Sequence, residues 1–86
     1  MNAAKFLAAR ARQVSAAGEF DVDFSGTVPS PCMSLCRIAE DGDYCIGCFR
    51  TLDDVRDWSS AHNARRRAIW AAALRRAGAE LPKELA

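Results

Sequence analysis

The amino-acid sequence predicts a small α-rich domain built around a loop that carries four cysteines. Three observations predict this fold: a length of only 86 residues, Ala- and Arg-rich stretches with helical periodicity near both ends, and cysteines confined to positions 32 to 48. A domain of this size buries only about 60% of the surface of its unfolded chain, so its core alone stabilises it weakly. We therefore expect a metal-stabilised domain in which two short helices follow the cysteine loop, with an N-terminal helix and an extended arm before it.

The cysteines are Cys32, Cys36, Cys45 and Cys48, spaced C-x3-C-x8-C-x2-C. Zinc takes four thiolates at tetrahedral corners, about 2.3 Å from each sulfur, and two closely spaced pairs supply them without closure of a long loop. Gly47 can adopt a positive φ, which would let backbone amides point at the thiolates. We predict that all four cysteines are metal ligands and that the second pair forms a knuckle. Such a zinc site contributes on the order of 10 kcal/mol to folding.

Other uses of four cysteines are weighed against zinc. An iron–sulfur centre uses the same four ligands and remains an alternative, although the cysteine spacing is not of the ferredoxin type. Four protein ligands leave no open position for a bound water, which argues against metal-dependent hydrolysis. Disulfides would require an export signal. Thiol–disulfide catalysis would require the second pair at the start of a helix in a βαβ unit, and no such pattern is present.

The N-terminal residues do not have the pattern of a signal peptide. Residues 1–18 contain Lys5, Arg10 and Arg12 without an acid, but they lack a continuous apolar region. No stretch approaches the length that spans a membrane. We expect a cytoplasmic protein in a reducing environment; the basic, Ala-rich composition leaves an organellar presequence as the alternative.

The first predicted element is a helix over residues 3–17. The segment consists of good helix formers, with Leu7 and Val14 at helical spacing, and Gly18 follows as a C-terminal stop. A helix of about 12–15 residues is barely stable alone in water. We expect Phe6, Leu7 and Val14 to dock against the rest of the chain or against a partner.

An extended arm is predicted next. Phe20, Val22 and Phe24 alternate with acids, which is the period-two pattern of a half-buried strand. Residues 25–31 contain two prolines that break regular structure and favour extended backbone. The arm therefore leads through a linker into the cysteine loop.

Two short helices are predicted after the last cysteine. Thr51 is a favourable N-cap for the first of them, with acids in the first turn. The second helix begins at Ser60 or Asn63 and ends before Gly78. Its apolar face consists of Ile69, Trp70, Ala73, Leu74 and Ala77. Packing of Trp58 against the tryptophan of this face would join the helices. The predicted organisation is an N-terminal helix and arm over residues 1–29, a metal-binding domain over 30–78 and a tail over 79–86.

These motifs together resemble a known family. They are Ser30-Pro31-Cys32, Cys36, Cys45-x-Gly47-Cys48-x-Arg50-Thr51, Asp54-Val55, Trp58 and Ile69 in an Arg-rich helix. In this order they resemble the bacterial domain of unknown function 1289 over about residues 30–76. Members are small and are often labelled predicted iron–sulfur proteins. The family usually has Glu in place of Asp54 and a smaller residue in place of Phe49. The resemblance implies that the four cysteines act together, and it implies no reaction.

Charge is segregated along the chain, although the formal net charge is only +1. Residues 1–18 are basic, residues 19–58 are acidic and residues 59–86 are basic again, so the arginines have internal partners. The arginines of the last helix scatter around it at about 100° per residue, which disfavours nucleic-acid binding. They are Arg65, Arg66, Arg67, Arg75 and Arg76. We predict that Arg50 and Arg66 lie near the thiolates or near the acids of the preceding helix.

No constellation of residues predicts an enzyme. His62, the only histidine, is expected to be a polar residue at the junction of the two helices rather than a ligand or a general base. We predict a non-enzymatic, zinc-stabilised interaction module with a protein partner, without membrane association, and as a monomer. Two alternatives stay open: an iron–sulfur protein in electron transfer or redox sensing, and a nucleic-acid-binding accessory zinc domain.

Overall fold

The structure, a computed structural model, describes residues 3–31, 45 and 48–85. Three α-helices and one 3-10 turn follow one another: α1 (Ala3–Ala16), α2 (Leu52–Asp57), the 3-10 turn (Trp58–Ser60) and α3 (Asn63–Arg76). Within the described ranges there is no β-strand, and no helix there is long and apolar enough to cross a membrane. The predicted small helical domain is confirmed. The four-cysteine loop falls largely outside the described residues.

Helix α1 forms and ends as the sequence predicts. Gly18 has a φ of +75°, the left-handed conformation that a glycine adopts at little cost. This conformation lets the N–H of Glu19 donate to Val14 O at 3.0 Å, which caps the helix in a Schellman motif. Leu7, Ala11 and Val14 are buried in the core, so α1 docks against its own chain. Phe6, which we expected to dock as well, is 40% exposed.

The predicted strand between residues 20 and 24 is wrong. The chain turns here instead: Asp21 N donates to Gly18 O at 3.3 Å and Phe24 N donates to Asp21 O at 3.1 Å. Phe20 is fully buried, but Val22 is 84% exposed. Phe20 and, in part, Phe24 contact the core, whereas Val22 does not, although a half-buried strand would bury every second residue.

The side chain of Asn63 helps to hold the linker that follows against α3. The Asn63 carboxamide donates to Gly26 O at 2.8 Å, and its oxygen accepts from Val28 N at 3.0 Å. Val28 and Pro31 are buried. Asn63 was predicted only as a possible first residue of the helix, and nothing in its sequence position indicates this second role. The segment leading to Cys32 is therefore fixed in place.

Replacing Asn63 with Ala is expected to destabilise the protein by about 1–3 kcal/mol, because it leaves the Val28 N–H without its acceptor in a partly buried site. The matched control is Asn63→Asp, which keeps an acceptor for the Val28 N–H and loses the donor to Gly26 O and Phe24 O. We expect Asn63→Asp to be the milder change. Urea unfolding followed by circular dichroism measures the stability of both variants. Equal stability of Asn63→Ala and the native chain would show that the Asn63 side chain does not hold the linker.

The core lies between α1, α3 and the segments that flank them. Trp70 is fully buried and meets Phe20 edge to face, with ring centroids 5.2 Å apart. Its indole N–H donates to Pro29 O at 2.8 Å. The aromatic partner of Trp70 is thus Phe20, whereas Trp58 is only partly buried at the edge of the core.

The C-terminal end of α3 repeats the capping motif of α1. Gly78 has a φ of +72°, and Ala79 N donates to Leu74 O at 2.9 Å. The residues beyond this cap return to the core: Leu85 is buried in it, and Ser15 Oγ donates to a Glu84 carboxylate oxygen at 2.8 Å. The N-terminal helix and the C-terminal residues therefore contact each other.

Candidate metal centre

The second cysteine pair lies in the interior of the protein. Cys45 and Cys48 are 0% and 1% exposed, and their side chains are close enough to hydrogen-bond with each other. Cys32 and Cys36, as well as Gly47, lie outside the described residues. The structure thus places two of the four predicted ligands side by side.

A tight turn carries this pair. Phe49 N donates to Cys45 O and Cys45 N donates to Arg50 O, each at 2.7 Å. The two hydrogen bonds close the backbone around Cys48, and the main-chain N–H of Arg50 hydrogen-bonds the Cys48 sulfur. An amide therefore points at a predicted ligand, as a metal-binding turn requires, and it comes from Arg50.

Phe49 makes this turn possible at a conformational cost. Its φ is +61°, which is rare for a bulky residue and costs on the order of 1–3 kcal/mol. Its ring packs against the core, and its carbonyl accepts a hydrogen bond from Arg76. The family resemblance, which implies a smaller residue at this position, was the only indication in the sequence of an unusual backbone there.

Arg50 lies next to the Cys48 sulfur, as predicted. It is only 4% exposed, and its Nε donates to Cys48 Sγ at 3.2 Å. Its guanidinium carbon is 5.3 Å from the centre of the Trp58 ring, within the range of a cation–π interaction. A permanent positive charge is therefore buried against a sulfur atom.

The pKa of the Cys48 thiol is raised from its ordinary value, because the effect of burial exceeds that of Arg50. Burial raises its pKa, because an anion is less stable away from water, whereas the hydrogen bonds and the charge of Arg50 lower it. The hydrogen bond with Cys45 raises the pKa further. Arg50 is therefore the neighbour that favours the thiolate form, which is the form that binds metals.

The described hydrogen-bond partners of Arg66 are backbone carbonyls rather than the acids of α2. Its guanidinium donates to three carbonyls, Trp58 O at 2.9 Å, Ala61 O at 3.0 Å and Val28 O at 3.1 Å. It also stacks on the Trp58 ring, 4.7 Å from its centre. The acid of α2 is paired instead with Arg65, whose Nη2 lies 3.3 Å from an Asp54 carboxylate oxygen. Helical spacing did not distinguish these two neighbouring arginines.

The other arginines of α3 also point in different directions. Arg67 reaches Asp21 O at 3.5 Å, and Arg76 donates to Phe49 O at the cysteine turn. Arg75 is exposed. The predicted scatter of charge around the helix is confirmed, and several of these charges contact the chain itself.

His62 lies at the start of α3. It occupies the N-cap position, is exposed, and its side chain makes no capping hydrogen bond. Among the described residues no three His, Cys, Asp or Glu side chains converge as metal ligands would. The fit to a metal therefore rests on the described pair: two adjacent buried thiols are soft donors of the kind that zinc and iron–sulfur centres take, and they would form half of a four-thiolate site.

Comparison with known proteins identifies one related family. The model of the family described as "Protein of unknown function (DUF1289)" matches residues 30–77, more than half of the chain. The match includes all four cysteines, the Arg50–Thr51 turn and α3, whereas α1 lies before it. No curated protein and no solved structure matched the chain.

Proposed function

The chain belongs to the DUF1289 family of proteins of unknown function, and from that premise we propose that it is a small non-enzymatic protein built on a structural zinc ion. The ligands in this proposal are Cys32, Cys36, Cys45 and Cys48. Zinc bound by four thiolates supplies shape and stability rather than redox chemistry or an activated water. The protein then acts as an interaction module, and its function depends on the surface that the folded chain presents to a partner.

The observation that carries this proposal is the buried contact between Arg50 and Cys48. A guanidinium remains charged at any physiological pH, and a buried charge is costly unless an opposite charge compensates it. The Nε of Arg50, almost excluded from solvent, donates to Cys48 Sγ at 3.2 Å. Neutral thiols would leave this cation without an anion at that contact. Thiolates held by a divalent metal provide the negative charge, because four thiolates and one zinc ion sum to −2.

The backbone around the pair supports the same proposal. The turn from Cys45 to Arg50 keeps a residue with positive φ at Phe49 and directs a main-chain N–H at a sulfur. Strained backbone is concentrated at functional sites, where the surroundings hold it. Two cysteines that served only as small apolar residues in the core would not need such a turn.

An iron–sulfur centre is the alternative for the same four ligands. N–H hydrogen bonds to sulfur also tune iron–sulfur clusters, so the Arg50 contact fits either group. We propose zinc because two short-spaced cysteine pairs suit a single tetrahedral ion. The two metals differ in colour and composition, which makes the choice experimentally simple.

The proposal predicts one zinc per chain in protein purified without air. Elemental analysis for zinc, iron and acid-labile sulfide, together with the visible spectrum, measures this. A colourless protein with zinc at unit stoichiometry is the expected result. Iron and sulfide together with visible absorbance would favour the iron–sulfur alternative over zinc. Protein without bound metal would overturn the proposal.

Two variants test whether the cysteines, rather than the histidine, bind the metal. Cys45→Ser with Cys48→Ser is expected to lose the metal, because it removes both buried sulfur ligands. His62→Ala is the control, since it removes the exposed side chain of the only histidine, and it should keep the metal. Loss of metal from His62→Ala would show that the ligand set is wrong.

A further inference from the structure

The geometry points to Arg50 as the residue that positions and charge-compensates the metal centre, with the Trp58 ring holding the Arg50 guanidinium in place. This inference rests on the proposed metal site and goes beyond it by assigning a role to a residue that is not a ligand. Arg50 contacts the sulfur of one predicted ligand.

The first part of the argument is the two-point contact of Arg50 with Cys48. Its Nε donates to Cys48 Sγ at 3.2 Å, and its main-chain N–H hydrogen-bonds the same sulfur. Hydrogen bonds of this kind orient a ligand and reduce the negative charge that it carries. Arg50 is itself almost excluded from solvent, so its charge acts on the sulfur with little screening.

The second part is the stack that fixes the side chain of Arg50. The guanidinium carbons of Arg50 and Arg66 lie 5.3 Å and 4.7 Å from the centre of the Trp58 ring. Two cations on one indole repel each other, and polar partners of each cation offset this cost. Arg66 is satisfied by the carbonyls of Val28, Trp58 and Ala61. The described hydrogen-bond partner of Arg50 is the Cys48 sulfur, and the proposed metal centre would place negative charge there to compensate the cation.

The third part is that the stack reaches the other half of the cysteine motif. Arg66 donates to Val28 O at 3.1 Å, and Val28 precedes Cys32 by four residues. The indole of Trp70 also holds this segment through Pro29 O at 2.8 Å. A continuous series of contacts thus joins Cys48, Arg50, Trp58, Arg66 and Val28. It connects the turn that carries the second pair to the segment that leads into the first pair.

The test compares three variants of the 86-residue chain: Arg50→Gln, Arg50→Lys and Thr51→Ala. Thr51→Ala is the matched control, because it removes the cap that accepts from Asp54 N at 3.0 Å and so destabilises α2 without touching the sulfur. Apo protein is titrated with Co²⁺, whose absorption reports sulfur ligands directly, and the affinity for Zn²⁺ is then measured by displacement of Co²⁺.

We expect Arg50→Gln to weaken Zn²⁺ binding about 10- to 100-fold, the range for loss of a residue that supports a metal ligand. Its sulfur-to-cobalt charge-transfer band should move to longer wavelength, because a sulfur without the charged donor gives up an electron more easily. Arg50→Lys keeps the charge and should recover most of the affinity. Thr51→Ala should lower stability with the native spectrum and an affinity close to native.

The outcomes separate this inference from the proposed function. If the native chain takes up neither Co²⁺ nor Zn²⁺, the proposed site fails. If the native chain binds both ions and Arg50→Gln binds them with unchanged affinity and an unshifted spectrum, the metal site stands and the role of Arg50 is wrong. If Arg50→Gln does not fold, Arg50→Lys provides the test. A charge-transfer band that shifts in Arg50→Lys as far as expected for Arg50→Gln would overturn the inference, because a positive charge at this position would then not compensate the sulfur.

Discussion

Removal of the proposed zinc ion from the 86-residue chain is expected to lower its free energy of unfolding by more than about 5 kcal/mol. A structural zinc contributes on the order of 10 kcal/mol to folding, which is comparable to the whole stability of a typical domain. Loss of the ion would also remove the metal-bound thiolates that, in this proposal, compensate the charge of the buried Arg50. Urea unfolding before and after chelation, followed by far-UV circular dichroism, measures the difference.

Two controls belong to this experiment. Addition of zinc to the chelated protein should restore the original unfolding curve. The Cys45→Ser, Cys48→Ser variant should resemble the chelated protein and should not respond to the chelator or to zinc. A chelated native chain that unfolds at the same urea concentration as the untreated chain would show that the ion does not stabilise the fold.

Trp70→Ala is expected to be the most destabilising single substitution in the described core, at about 3–5 kcal/mol. The side chain is fully buried, and its ring centre lies 5.2 Å from that of Phe20. Its removal creates a cavity between α1 and α3 and also leaves Pro29 O without the indole donor. For a domain of this size the loss corresponds to a fall in melting temperature of about 4–8 °C per kcal/mol.

Trp70→Phe separates packing from the hydrogen bond. Phenylalanine keeps an aromatic ring against Phe20 but cannot donate to Pro29 O, and we expect it to cost about 1–3 kcal/mol. Circular dichroism in urea measures both variants. A loss below about 1 kcal/mol for Trp70→Ala would mean that the core does not depend on this contact.

The helices and their ends could be predicted from the sequence because their signals are local. Gly18 and Gly78 end α1 and α3 with positive φ, as a glycine directly after a helical pattern indicates. Thr51 caps α2 by accepting from Asp54 N. Each of these features depends on residues only a few positions apart, so the local sequence pattern is sufficient to predict it.

The remaining features could not be predicted, because they depend on contacts between distant segments. The alternation from Phe20 to Phe24 looked like a strand, but a strand needs a partner, and the chain turns here instead. Adjacent arginines on α3 differ completely in partner, since Arg65 reaches an acid and Arg66 reaches carbonyls. The clamp of Asn63 on the linker joins residues 37 positions apart.

The candidate site was predicted in part. The cysteine spacing indicated that Cys45 and Cys48 act together, and the structure buries them side by side. Arg50 was predicted near the cysteine sulfurs and lies beside that of Cys48. The positive φ of Phe49 follows from no local preference, because a bulky residue disfavours it and only the surrounding contacts hold it. The predictions for Cys32 and Cys36 concern residues outside the described part of the chain.

Zinc K-edge X-ray absorption on protein purified without air tests most directly whether four thiolates share one ion. The account predicts a first shell of four sulfur atoms at about 2.3 Å with no metal–metal scattering. A shell containing nitrogen or oxygen ligands, or fewer than four sulfurs, would contradict it.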